Sequence, residues 1–342
     1  MGGFTPKRRV LAALLGGKVD RVPVTSVAGC GGTVCVDMEN AVDVYFPEAH
    51  KNAEKMARLA VASYELSGLE CVRVPFDFVV EPEALGCDIR WYDGPDKVPM
   101  TVGTHYEGPE ALKSPENLLA SGRIPVVLDA IRILRKEVGD FLPIASLALG
   151  PFTLASELAG AEKILRWVLK KPENVKSFVD FATGIVIDYA KAQYRAGSDI
   201  VVIGEPMASG GVLTAEMFRA IVKPSLAKVA DSLGGIRVLH VCGFADKIIV
   251  DLADTGFDGL SVEESVDIAR IKPMAHGVKI LGNVSSKKTL FRGSAEAVKE
   301  EAKRALEAGV DLLEPGCGIS PVTPLAHVKA LVEAGKEYVP KE

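Results

Sequence analysis

The sequence lacks any uninterrupted run of about 18 apolar residues, so no segment reads as a membrane span. Its one apolar stretch near the start, Val10 to Leu15, is too short for the core of a signal peptide. No small-residue cleavage site follows before Asp20 and Arg21, and the stretch is expected to be a first helix. Cationic excess is also lacking. The 40 Lys and Arg stand against 45 Asp and Glu, a net charge of −5 that argues against binding a nucleic-acid backbone. Six cysteines are spread over 342 residues, without the density of a disulfide scaffold or the short paired spacing of a zinc finger. They suit a reducing compartment, and the protein is expected in the cytoplasm. Gly29-Cys30-Gly31-Gly32 has neither a helix-opening G-x-G-x-x-G pattern nor a following Lys-Ser/Thr, so it is no nucleotide-phosphate fingerprint. Linkers and low-complexity tracts are missing as well, and residues 1–342 are expected to form a single domain.

What is present is an ordinary globular composition, 48% hydrophobic and 25% charged, on a chain long enough to bury a large core. One joint recurs: a helical stretch, then x-Gly-x-acid, then an apolar, β-rich run. It occurs at Ser67-Gly68-Leu69-Glu70, Ala196-Gly197-Ser198-Asp199, Thr255-Gly256-Phe257-Asp258 and Ala308-Gly309-Val310-Asp311. Glycine ends each helix through the left-handed conformation, and the run after it has the character of a strand buried on both faces. Eight strands are expected, near 22–25, 70–74, 143–148, 199–203, 236–241, 258–262, 278–282 and 310–314. Helical patterns lie between them, including 50–67, 124–138, 214–233 and 295–308. This predicts a (β/α)8 TIM barrel with an N-terminal helical extension. The Pro-, Gly- and Asp-rich segment 86–122 reads as an insertion after strand two, in the manner of a hairpin flap. An open doubly wound sheet is the alternative.

Barrel enzymes carry their chemistry at the C-terminal ends of the strands. Polar, acidic and soft groups collect there in this sequence: Ser26 and the Cys30 loop, Asp77, Glu205, His240 and Cys242, Glu263 and Glu264, Asn283, Glu314 and Cys317. His240 and Cys242, two apart on a strand, point to one face. With Cys317 at a matching rim position they make a candidate metal site, in which two thiolates and one imidazole suit Zn²⁺ and leave a fourth position open. Glu263 is a candidate to complete that shell or to orient His240, and Glu205 a candidate to take a proton from an incoming thiol. Glu264 is expected to face away. His50, His105, His276 and His327 read as surface or packing residues. Cys30 and Cys35 read as structural or substrate-lining, and Cys71 and Cys87 as core.

These residues carry a resemblance. The chain resembles the uroporphyrinogen decarboxylase superfamily and, within it, the zinc-dependent methylcobalamin:coenzyme M methyltransferases. The resemblance runs through Phe4-Thr5-Pro6-Lys7, Ser67-Gly68-Leu69-Glu70, Gly122 to Leu128, Glu205-Pro206-Met207-Ala208-Ser209 and His240-Val241-Cys242-Gly243. It continues through Gly259 to Glu264, Gly282-Asn283-Val284-Ser285 and Pro315-Gly316-Cys317-Gly318-Ile319. It implies that His240, Cys242 and Cys317 hold a zinc ion that binds an acceptor thiol, most simply coenzyme M. The methyl donor it implies is methylcobalamin on a partner corrinoid protein, not permanently bound, since no Asp-x-His-x-x-Gly corrinoid motif is present. A different acceptor is the near alternative, and a metal-free decarboxylase of a tetrapyrrole-type carboxylate the more distant one. Against the latter, Arg8, Arg9 and Arg21 precede strand one and no arginine occupies the loop after it. Such relatives usually carry Asp-Pro where this chain has Glu205-Pro206, and its Gly29 to Gly32 loop is richer in glycine.

Overall fold

The computed structural model describes residues 3–103 and 105–339. Residues 1–2, 104 and 340–342 of the expected domain lie outside the described residues. In chain order the strands are β1 (Val72–Val74), β2 (Ile89–Arg90), β3 (Met100–Thr101), β4 (Ile144–Leu149), β5 (Ile200–Gly204), β6 (Ile236–Val241), β7 (Gly259–Val262), β8 (Lys279–Val284) and β9 (Leu312–Pro315). Seven of them form one parallel sheet in the order β1-β4-β5-β6-β7-β8-β9, while β2 and β3 pair antiparallel as a separate hairpin. Every residue of β4, β5, β7 and β9 is buried, as strands covered on both faces require. The connecting helices include Ala53–Ser67, Ile124–Glu137, Pro172–Ala196 and Ala295–Glu307. This is the TIM-barrel architecture expected, with the hairpin lying inside the 86–122 insertion.

The helix–glycine–strand joints take the expected conformation. Gly68 and Gly197 adopt φ of 83° and 119° and cap the helices before them, and Gly256 and Gly309 are left-handed as well. The first strand needs correction. The segment expected at 22–25 pairs with its neighbour only through a single parallel bridge, Val24 to Leu313. Pro23 has no N–H to give, and the N–H of Val24 donates to the Glu70 carboxylate at 3.0 Å instead of to a strand. The position is still filled: Thr25 N donates to Leu313 O, Leu313 N to Pro23 O and Glu70 N to Val24 O. These bonds tie β9 to β1 and close the ring.

Two helices are interrupted where the sequence pattern ran on. The stretch 50–67 breaks at Asn52, whose side chain accepts from Lys55 N and starts a new helix. The stretch 214–233 widens into a π-turn over Phe218–Val222, just before Pro224, which cannot donate the helical hydrogen bond.

Alternate strand residues fill the barrel interior. Ala145, Leu147, Ile200, Val202, Val238, Leu281 and Leu312 pack with Val10, Ala13 and Leu14 of the N-terminal helix Pro6–Leu14. That helix plugs the end of the barrel at which the strands begin. Val238 shares its strand parity with His240, so the histidine continues the inner column toward the opposite rim. No helix among the described residues is long and apolar enough to cross a membrane.

Candidate metal centre

Strand β6 delivers two of the expected residues. His240 is its fifth residue and fully buried, and Cys242 follows the strand's end. The ring Nδ1 lies 3.0 Å from Ser261 Oγ, on the register partner in β7, and Nε2 lies 3.1 Å from Cys242 Sγ. Cys317 arrives from the loop after β9, with Cys242 and Cys317 sulfurs 3.7 Å apart. Ser286 braces that loop: Cys317 N donates to Ser286 Oγ at 3.2 Å, and the hydroxyl donates back to Cys317 O at 3.0 Å.

A fourth donor completes the group: Cys30, which reads from the sequence as structural or substrate-lining, lies at the cluster instead. Cys30 Sγ lies 2.8 Å from Cys242 Sγ, and its N–H points at Cys317 Sγ at 3.4 Å. The ligand atoms of Cys30, His240, Cys242 and Cys317 all lie within 4.8 Å of one another, and this group can hold a metal ion. A signal for Cys30 was in the sequence. Gly29-Cys30-Gly31 and Gly316-Cys317-Gly318 are the same tripeptide at the ends of barrel positions one and eight, which adjoin on closure. The glycines are required by contact. A Cβ on Gly29 would sit 2.5 Å from Gly318 N, and one on Gly318 would land on the carbonyl of Cys30. Hydrogen bonds from the Cys242 and Cys30 thiols hold Cys317 well below the ordinary thiol range, with His240 adding to the effect. The bond between Cys30 and Cys242, with that to Cys317 and burial, pushes Cys30 up.

The loop that carries Cys30 is gripped from both sides. Arg73 in β1 is fully buried and donates to the carbonyls of Gly29, at 2.7 Å, and Gly31. Glu314 in β9 accepts from Val27 N at 2.7 Å, Ala28 N at 3.4 Å and the Thr25 hydroxyl.

The two expected acids lie differently. Glu263 is half-buried beside the cluster. Burial and the Cys317 charge push its carboxyl up, against a bond from Gly243 N–H. Glu205 is fully buried and accepts from Phe152 N at 2.9 Å, Thr153 N at 2.6 Å and the Thr153 hydroxyl. It therefore caps the N-terminus of the helix Pro151–Ala159. Burial lifts its carboxyl to about 7. Glu264 turns aside to the Ser285 hydroxyl at 2.8 Å. Asp77, another rim acid, is engaged by both Nη atoms of Arg123 at 2.9 and 3.0 Å. Cys35, Cys71 and Cys87 are buried away from the cluster. Among the remaining histidines His50 is buried against Asp77, His105 meets Tyr106 edge to face, His276 lies by Asp254, and His327 pairs with Leu290 O.

Comparison with known proteins agrees over the full length. The family model described as uroporphyrinogen decarboxylase (URO-D) matches residues 5–338. The methylcobamide:CoM methyltransferase MtaA of Methanosarcina barkeri is 42% identical over 340 residues, covering 99% of each chain. A methylated-thiol–coenzyme M methyltransferase of Methanosarcina mazei is 37% identical, over 98% of this chain and 90% of the relative. A solved methyltransferase structure from Methanosarcina mazei superposes with a TM-score of 0.92 at 44% identity, covering 98% of this chain and 99% of that one.

Proposed function

Because the chain belongs to the uroporphyrinogen decarboxylase family, we propose that it works as the methyltransferase branch does, moving a methyl group from a methylated corrinoid to the thiol of coenzyme M. The observation that carries this reading is the cluster of soft donors at the C-terminal rim. A decarboxylase of carboxylated tetrapyrroles has no use for three thiols and an imidazole pointed at one spot. The donor set fits zinc. Two thiolates on one tetrahedral zinc lie roughly 3.8 Å apart, from a Zn–S distance of about 2.3 Å. Cys242 and Cys317 are separated by 3.7 Å.

His240, Cys242 and Cys317 would hold the ion. When bound, zinc lowers the pKa of a coordinated thiol and so makes a thiolate available at neutral pH. The other tasks fall to the chain itself. Ser261 at Nδ1 fixes the ring of His240 and leaves Nε2 facing the cysteines. Ser286 holds Cys317 at its own amide and carbonyl. Glu263, its carboxyl raised toward the neutral form, is positioned to accept or share a proton next to the cluster. Glu205 keeps the helix Pro151–Ala159 docked under the rim, and its carboxyl near 7 also suits proton exchange. The barrel supplies alignment by holding the acceptor sulfur at the bottom of a mouth that a flat corrin can cover.

The corrinoid is a visiting donor carried by a partner protein, and the acceptor is a small thiol. Three free thiols in one site need a reducing compartment, which favours the cytoplasm. The whole chain is read as one barrel domain.

The test joins metal content with turnover. The purified protein is expected to carry one zinc per chain and to demethylate methylcobalamin, followed by its absorption spectrum, only when coenzyme M is added. A Cys317→Ala variant is expected to lose both. Spectral change with no thiol in a panel of acceptors, or full zinc retention without Cys317, would sink the reading.

A further inference from the structure

We infer that Cys30 is a fourth and exchangeable ligand, which occupies the position at the metal that the substrate thiol later takes. The inference rests on the zinc–thiol reading above and goes beyond it. Three protein ligands and an open position describe a catalytic zinc site, whereas four protein donors close it. Here four donors stand within 4.8 Å of one another, with Cys30 Sγ 2.8 Å from Cys242 Sγ, so Cys30 shares a zinc after a side-chain shift of about 1 Å, and entry of a thiol then requires one donor to leave.

The structure points to which one. His240 is fully buried and tied to Ser261, and Cys242 continues directly from β6. Cys317 is held at its amide and carbonyl by Ser286. Cys30 alone sits in a loop with no regular strand behind it, since the preceding segment pairs with its neighbour through one bridge. Space lies next to this loop rather than around the thiol: a Cβ built on the neighbouring Gly31 meets nothing within 4 Å. The backbone around it is nevertheless pinned, by Arg73 at Gly29 O and Gly31 O and by Glu314 at Val27 N and Ala28 N. Departure then needs only rotation of the Cys30 side chain, and the same scaffold returns it afterwards.

The exchange balances. The sulfur–metal bond to Cys30 breaks as the one to the incoming thiol forms, and the proton of the substrate S–H passes to the Cys30 sulfur. One thiolate replaces another, so the charge at the metal is unchanged and nothing is oxidised or reduced. The fully buried guanidinium of Arg73 lies within electrostatic reach of Cys30 and Cys317, and it faces the same net negative cluster before and after. An endogenous thiol in this place also keeps the metal covered until the acceptor arrives.

X-ray absorption at the zinc edge on the full-length zinc protein tests this without relying on activity. Three sulfur donors per zinc are expected in the wild type, and still three after saturation with 2-mercaptoethanesulfonate. A Cys30→Ala variant is expected to show two, rising to three with the thiol, and Cys30→Ser serves if the alanine variant folds poorly. Calorimetry in buffers of different ionisation enthalpy gives a second readout. Thiol binding should release almost no proton in the wild type and close to one per chain in the variant. Two sulfurs in the unliganded wild type, a fourth sulfur on thiol addition, or equal proton release in both proteins overturns the role of Cys30 and leaves the three-ligand reading standing. Failure of the wild type to bind zinc at all overturns both.

Discussion

Ser261 Oγ stands 3.0 Å from Nδ1 of His240, one strand over and in direct register with it. The hydroxyl thus sets which ring nitrogen faces the sulfurs, although it touches none of them. Partners of this kind typically contribute a factor of roughly 10–100 to metal affinity. Ser261→Ala is expected to weaken zinc retention by that factor while leaving the fold intact, as read by competition with a graded chelator. Unaltered retention would remove Ser261 from the site.

Gly318 offers a different lever. Its Cα approaches the Cys30 carbonyl so closely that any side chain collides with backbone, which cannot yield as a flexible side chain can. Gly318→Ala should force the two cysteine loops apart, costing about 1–3 kcal/mol of stability. Zinc should also leave more readily, with both effects visible in a thermal melt recorded with and without metal. A variant that melts and binds zinc like the parent contradicts the close packing described.

Glu205 predicts a pH dependence. Its carboxyl is lifted by burial from 4.5 to about 7, against the pull of the Thr153 and Phe152 bonds. A raised acid favours the folded state while it stays protonated. Its contribution is in place below about 4.5 and is lost as pH climbs through about 7. The span is worth roughly 3 kcal/mol. In unfolding curves collected across this window, Glu205→Gln should lack that part of the decline, so the difference between variant and wild type changes with pH. A constant difference rules it out.

Asp77 has the opposite sign. Burial disfavours its charge, but the Arg123 guanidinium and the His50 ring, 2.8 Å away, together more than offset this and hold the carboxyl well below the usual range. Its stabilisation is present above the ordinary carboxylate range and fades as pH falls beneath it. Asp77→Asn leaves Arg123 buried with its main partner neutralised, and should cost about 3–5 kcal/mol at neutral pH. The loss should shrink in acid, and denaturant titrations at two pH values decide the matter.

Much of the barrel was legible because parallel strands are written locally. The left-handed glycines at 68, 197, 256 and 309 marked where helices stop and strands start, and β6 begins and ends where its apolar run does. The first strand was legible only in outline. Whether Val24 joins a ladder depends on Glu70, far along the chain, claiming its N–H. The site divides in the same way. His240 and Cys242 share a strand face, a relation that spacing alone conveys. Cys30 reaches the cluster only through ring closure, and recognising it would have required reading the two Gly-Cys-Gly tripeptides as neighbours. Glu205 shows the reverse limit: its rim position was evident, but its bonds to Phe152 and Thr153 come from a helix about fifty residues earlier.

The helix Pro6–Leu14 gives the barrel a floor. With Val10, Ala13 and Leu14 seated among the inner strand residues, the far mouth admits nothing. One doorway therefore serves every traveller: the thiol going in, the corrinoid resting across it, and the thioether coming out. A broad macrocycle on that doorway shuts in whatever is already inside and shuts out what is not. On the proposed chemistry, traffic must be ordered. The acceptor enters first and the methyl carrier second, and the carrier departs before the product can.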